Sequence, residues 1–327
     1  MTLVFLLILQ SLPAADVLLA GAGLTPDEVR TVQSGQIVAR ADVVDRIDVV
    51  SAGAFKARVT PERFWQCARD PRCLRESGDL LQSGAVSAPP SPADFAALRL
   101  DARQVEALPR CQVGRCGFRL PAEAITRVRS ELDGKTVAVS ATAERVIREV
   151  LAEIAARYLA QGNRGLPTYH DRPAPVAAAA RLEELLQRPW PLLEAAPGLR
   201  RFLLEFPGAR PPELEDGLYW FAERFYRRKL IAVHQGARMA VAERGREAVF
   251  AASKQVYANH YLYAAAELAV LVREPSRAEG YLIWSSRVRT DIRPGGFTWL
   301  ERLLLRRLAR GRLEDHLARL RRSLAAA

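Results

Sequence analysis

The stretch SKQVYANHYLYAAAELAVLV, residues 253–272, gathers groups that can hydrogen-bond, stack and move protons ahead of an apolar run. Read as a strand, its side chains alternate between faces. Ser253, Gln255, Tyr257, Asn259, Tyr261 and Tyr263 then share one face, with Ala252, Lys254, Val256, Ala258, His260, Leu262 and Ala264 on the other. Phenols have an apolar body and a polar tip, so the first face suits the wall of a cavity for an amphipathic ligand. It equally suits a solvated sheet face with cross-strand tyrosine pairs. His234 lies in the preceding strand. A turn near Arg244 would bring it beside Lys254, where a His–Lys pair could act as acid and base. The candidate ligand-binding residues are therefore Gln255, Tyr257, Asn259, Tyr261, Tyr263 and His234.

Other chemistry has little support. There is no H-E-x-x-H and no G-x-S-x-G. DGKTVA has the tail of a phosphate loop, but Arg129 stands where its first glycine belongs. The four cysteines form two local sets, CARDPRC (Cys67, Cys73) and CQVGRC (Cys111, Cys116). Local disulfides suit them if the chain leaves the cytoplasm; zinc favours C-x2-C spacing, so neither metal nor cofactor is expected. His170, Asp171 and His316 have no evident partners, and the acids Glu213, Glu215 and Asp216 read as a solvated helix start.

Hydrophobic residues make up 49% of the 327, enough for a real core, and the length fits one large domain or two ordinary ones. The net charge is +11, yet only Lys56, Lys135, Lys229 and Lys254 among the 48 basic residues are lysines. Such an arginine bias often reflects genome composition. With no zinc-finger spacing and no ribonucleoprotein motif, no nucleic-acid partner is expected. Residues 3–12 form a short apolar core followed by Ala14 and Ala15, so residues 1–15 read as a signal peptide, possible truncation included, and the protein as exported to the periplasm or cell envelope. No later run is long enough to span a bilayer.

Along the chain, Thr25-Pro26 and Thr60-Pro61 open helices, and a Val/Ile-rich hairpin lies between them. Residues 87–95 are a loop by composition, and residues 122–160 are mostly helical, with Val146, Ile147, Val150, Leu151, Ile154 and Tyr158 on one face. Further helices are expected over 176–186, 198–205 and the aromatic segment 213–228. Strands follow over 229–242, over 248–272 as one long strand or two, and over 280–292. A helix from 297 to 324 closes the chain, with Leu313, Leu317, Leu320 and Leu324 on one face. Residues 301–327 hold eight arginines against three acids, a basic surface that could meet anionic membranes.

This order resembles the START/SRPBCC superfamily. ARVTPERFWQCARDP is similar to its strand-into-helix entry, with Val59, Pro61, Phe64, Trp65 and Asp70 on the pattern. YLIWSSRVRTDIRPGGFTWLERLLL, running on into the leucine helix, is similar to its last strand and closing helix. The resemblance covers about a third of the chain. It implies an α+β, helix-grip-like fold: a curved antiparallel sheet around a long C-terminal helix, enclosing a cavity. The departure is a mostly helical insertion at about 74–215, within a single domain over 16–327. LPRCQVGRCGFRLPAEAI and SKQVYANHY look more closely like segments of uncharacterised exported bacterial proteins. The implied function is binding or carriage of a hydrophobic or amphipathic, lipid-like ligand in the cell envelope. Alternatives are a cavity enzyme of cyclase or hydrolase type using His, Lys or Tyr groups, and a structural envelope interaction protein.

Overall fold

The computed structural model describes residues 12–44, 48–75, 79–134, 137–225, 228–243, 245–274, 279–291 and 298–325. Helices α1 (Ala15–Gly21) and α2 (Pro26–Gln33) lead into a hairpin of β1 (Val38–Val44) and β2 (Asp48–Ala57), then α3 (Pro61–Arg69), α4 (Pro71–Leu74) and β3 (Leu80–Val86). The insertion carries α5 (Ala102–Ala107), α6 (Ala122–Leu132), α7 (Val139–Gln161), the small pair β4 (Thr168–Tyr169) and β5 (Val176–Ala177), α8 (Ala178–Gln187), α9 (Pro191–Glu194) and α10 (Pro197–Glu205). A meander follows of β6 (Glu215–Phe225), β7 (Arg228–Glu243), β8 (Arg246–Ala258), β9 (Leu262–Arg273) and β10 (Gly280–Thr290), and α11 (Thr298–Ala325) ends the fold.

The eight long strands form one antiparallel sheet in the order β1-β2-β10-β9-β8-β7-β6-β3. The architecture is the expected α+β one: an antiparallel sheet against a long C-terminal helix, with a helical insertion. One sheet face, through Phe55, Val249, Ala251, Leu271, Leu282 and Trp284, packs on α11 and on Phe64 and Cys67 of α3. The other, through Phe250, Leu268, Val270 and Ile283, packs on the insertion and α1. Two local features seat these layers. Gly53 lets α11 approach β2, since a Cβ there would lie 2.6 Å from Leu317 Cδ1. Gly84 makes room for the Trp220 indole, whose Nε1 donates to Asp94 O at 2.9 Å.

One sequence expectation changes and two are sharpened within their stated terms. The segment 213–228 is not helical: β6 occupies Glu215–Phe225. Its aromatic side chains alternate, Trp220 to the insertion side and Tyr219 and Phe221 to the other, and the two-sided apolar pattern of a strand covered on both faces imitates a helix. The glutamate cluster is correspondingly no helix start; Asp216 is an ion-pair partner of Arg210. The insertion is not purely helical, because β3 lies at its beginning and pairs with β6 at the sheet edge. And residues 248–272 form two strands, β8 and β9, separated by a tight turn at Asn259, His260 and Tyr261, the last at φ 59°.

The helix starts behave as read: Thr25 makes a full capping box with Glu28, and Thr60 caps α3 at Arg63 N. Both cysteine sets are disulfides, Cys67–Cys73 and Cys111–Cys116. Closing such short loops contributes about 2 kcal/mol each in the chain-entropy account. Most of the expected signal segment lies outside the described residues; Leu12 and Ala15 are buried, and Leu12 N donates to Glu243 Oε2. No helix among the described residues is long and apolar enough to cross a membrane.

Leu313, Leu317, Leu320 and Leu324 are all buried against the sheet. Leu317→Asp should place an unpaired carboxylate in that layer and leave a cavity, costing about 4 kcal/mol or more. For a chain of this length the melting temperature should fall by roughly 5 °C or more. A calorimetric scan within about 1 °C of wild type would show that α11 does not close the core.

Candidate functional site

The bulge at Val256 decides where the opening stretch points. Tyr257 pairs with Val233 and Gln255 with His234, so Val256 is the extra residue and the alternation changes phase there. Ser253 shares the α11 side of the sheet with His234, while Tyr257 turns to the insertion side. Tyr257 is fully buried and its hydroxyl donates to Arg119 O at 2.8 Å. Asn259 is a turn clamp: its Oδ1 accepts from Ile231 N at 2.8 Å, and its carbonyl accepts from Arg119 N at 3.0 Å. Tyr261 packs at a tilt against Phe225, and Arg119 lies over the Tyr263 ring, 4.3 Å from its centroid. Arg119 itself bonds Leu262 O and pairs with Asp291. Four of the six residues expected to share a cavity face, Tyr257, Asn259, Tyr261 and Tyr263, thus anchor the β8–β9 turn, three of them to the insertion beside the Cys111–Cys116 loop. Gln255 is buried, its amide donating to Leu262 O at 3.3 Å.

Lys254 and His234 do not meet either. Lys254 pairs in register with Gln235, on the insertion face, and donates to Asn163 Oδ1 at 2.8 Å and Leu203 O at 2.9 Å. Tyr158, Phe202 and Phe206 surround its ammonium group. His260 stacks edge-on against Phe118, and burial holds its imidazole at about 3.

His234 is the one expected residue in a cavity lining. A cavity of about 400 Å³ lies between the α11 face of the sheet and the first half of α11. Phe221, Leu230, Leu262, Ala265 and Val288 make its sheet wall; Leu305, Leu308 and Ala309 make its helix wall. A wider groove of about 610 Å³ over the Cys67–Cys73 disulfide is lined mainly by polar surface residues such as Gln66, Arg72 and Gln82, and lacks that apolar enclosure.

The cavity has a polar end. Arg75 Nη2 donates to Glu267 Oε2 at 2.6 Å, and its guanidinium carbon lies 3.9 Å from the Phe221 centroid. The same nitrogen approaches His234 Nδ1 at 3.4 Å; Ser253 Oγ is 2.7 Å from Nδ1 and 2.8 Å from Tyr219 Oη. Burial opposes the charge on Arg75, but Glu267, Tyr219 and Glu223 outweigh it and keep the guanidinium protonated. Burial raises the Glu223 carboxyl, with Arg75 pulling the other way. Burial, then Arg75, holds the His234 imidazole well below its usual range, so the ring is neutral at pH 7. Arginine can only donate, which makes Nδ1 the accepting nitrogen and assigns the ring proton to Nε2. His234 Nε2 and Arg75 Nε are both buried without a hydrogen-bond partner among the described residues. Two N–H donors thus stand unused on residues that line the polar end of the cavity, where an unmet donor costs about 1–3 kcal/mol.

Sequence reasoning missed Arg75, Glu223, Glu267 and Phe221. Glu267 had a signal, a lone acid inside AAAELAVLV; Arg75 had none. Among the described residues no His/Cys/Asp/Glu group has metal-site geometry. Compared with known protein families and with curated proteins, the chain matches none.

Burial, slightly offset by Asp216, lowers Lys254 from 10.5 to about 7. Below pH 7 both folded and unfolded chains are protonated there, and the fold bears the full cost of a buried cation. Between pH 7 and 10.5 the folded chain has released a proton that the unfolded chain keeps, so stability rises with pH across that window. The slope is at most about 1.4 kcal/mol per pH unit. Urea midpoints measured at about pH 7 and about pH 9 should rise for wild type and stay level for Lys254→Met. An equal rise in both proteins would assign the effect elsewhere.

Proposed function

We propose that the chain binds and carries an amphipathic, lipid-like ligand in the cavity between β6–β10 and α11, in an oxidising compartment of the cell envelope. The carrying observation is the cavity itself: apolar walls, with two unpartnered N–H donors, His234 Nε2 and Arg75 Nε, on residues that line its polar end. Apolar walls favour an acyl or ring body by about 0.8 kcal/mol per buried CH2. The donors favour a hydrogen-bond acceptor on that body. Glu267 and Glu223 beside them disfavour a second full negative charge, so a neutral acceptor such as an ester or ketone oxygen fits best. The two disulfides support the oxidising compartment. A sheet, a closing terminal helix and a cavity between them also support membership of the START/SRPBCC superfamily.

The enzymatic alternative draws on the 2.7 Å contact between Ser253 Oγ and His234 Nδ1, a nucleophile–base distance. It is the weaker reading, because Ser253 lies behind His234 and the cavity is lined by the histidine.

Mass spectrometry of an organic extract of the purified protein should reveal a bound lipid-like molecule. His234→Phe keeps the ring and removes the donor. It should weaken displacement of N-phenyl-1-naphthylamine by a medium-chain fatty acid methyl ester about tenfold, at about 1.4 kcal/mol per decade. Displacement by the matching alkane should not change. An empty extract together with no displacement by either probe would reject the carrier reading.

A further inference from the structure

We propose that the first half of α11 is a docking surface for an anionic lipid bilayer. This goes beyond the cavity reading and stands without it. The helix changes character along its length. In its second half the large apolar residues are covered, from Leu313 at 6% exposure to Leu317 and Leu320 at 0%. In its first half four of them face solvent: Trp299 is 68% exposed, Leu300 42%, Leu304 51% and Leu308 48%.

Leu300, Leu304 and Leu308 recur every four residues and so form one continuous stripe. At 100° per residue Arg307 flanks this stripe, while Arg302, Arg306 and Arg310 are exposed on other sides of the same helix and add to its positive charge. The local charge over residues 298–312 is five arginines against Glu301. Asp42 and Asp79 pair with Arg306 and Arg312, but these are exposed contacts that water and salt weaken.

Exposed leucines flanked by an arginine, on a helix half of net positive charge, suit an anionic bilayer interface. Leucine enters the acyl boundary, and long cationic side chains reach phosphate oxygens. A second copy of the chain fits less well, because an isologous contact would bring the two arginine arrays together. Leu308 belongs to both the exposed stripe and the cavity wall. Docking on this stripe therefore sets the cavity's helix wall against the membrane.

Co-sedimentation tests the assignment with two kinds of vesicle, phosphatidylcholine alone and phosphatidylcholine mixed with phosphatidylglycerol. Wild type should pellet with the mixed vesicles, weakly with the neutral ones, and less as salt is raised. Arg307→Gln should lower partitioning about fivefold, and Arg302→Gln, on the far side of the helix, less. Leu304→Glu should lower it at least as much while leaving the melting temperature unchanged, because the site is exposed. No pelleting with either vesicle, equal pelleting with both, or wild-type pelleting by Leu304→Glu overturns the proposal. So does a concentration-dependent dimer in light scattering that Leu304→Glu dissolves while vesicle binding is absent.

Discussion

Burial of the sheet on both faces is the constraint from which the rest follows. An antiparallel sheet commonly keeps one wet face. Here α3 and α11 cover one side and the insertion the other, so β8 is buried continuously from Ala248 to Ala258. A polar side chain in such a strand must find a partner or line a cavity. Lys254, Gln235 and Tyr257 find partners in the insertion; Ser253, His234 and Glu267 form the polar end of the cavity. Which face a residue takes determines whether it is scaffolding or chemistry.

The two covers are fastened differently. The insertion is held by directional contacts: Arg119 to Asp291 and Leu262 O, Tyr257 to Arg119 O, and Lys254 to Asn163 and Leu203. Such contacts leave little room between layers. The apolar packing of α11 is by leucines of its second half, so space remains under the first half. Into that space the segment after the Cys67–Cys73 loop delivers Arg75, whose charge Glu267 neutralises. One cover fixes the sheet and the other shelters a volume.

Much of the fold was legible because its signals are local. Thr25-Pro26, Thr60-Pro61, the β1–β2 hairpin, the face of α7 and the leucines of α11 each depend on residues a few positions apart. β6 was misread because side chains on both of its faces are buried, which erases the alternation that marks a half-exposed strand. The candidate site was legible only at His234. One bulged residue, Val256, turned Tyr257 to the insertion face, and bulges leave no dependable sequence mark. Arg75 reaches its partners, Glu267 and His234, from more than 150 residues away, a placement that belongs to the tertiary fold alone.

The strand order has a consequence for how the molecule is made. β2 pairs with β10, joining Ala57 to Gly280 and Asp48 to Arg289. The β1–β2 hairpin therefore has no sheet to join until residues 280–289 exist. A chain that ends before residue 280 leaves β2 and β9 as two open apolar edges, each a template for the wrong neighbour. Pairings this distant in sequence are slow to close, because loop entropy must be spent before contacts return it. During synthesis and any passage to another compartment, the half-finished sheet would depend on chaperones or on the speed of export to keep those edges apart.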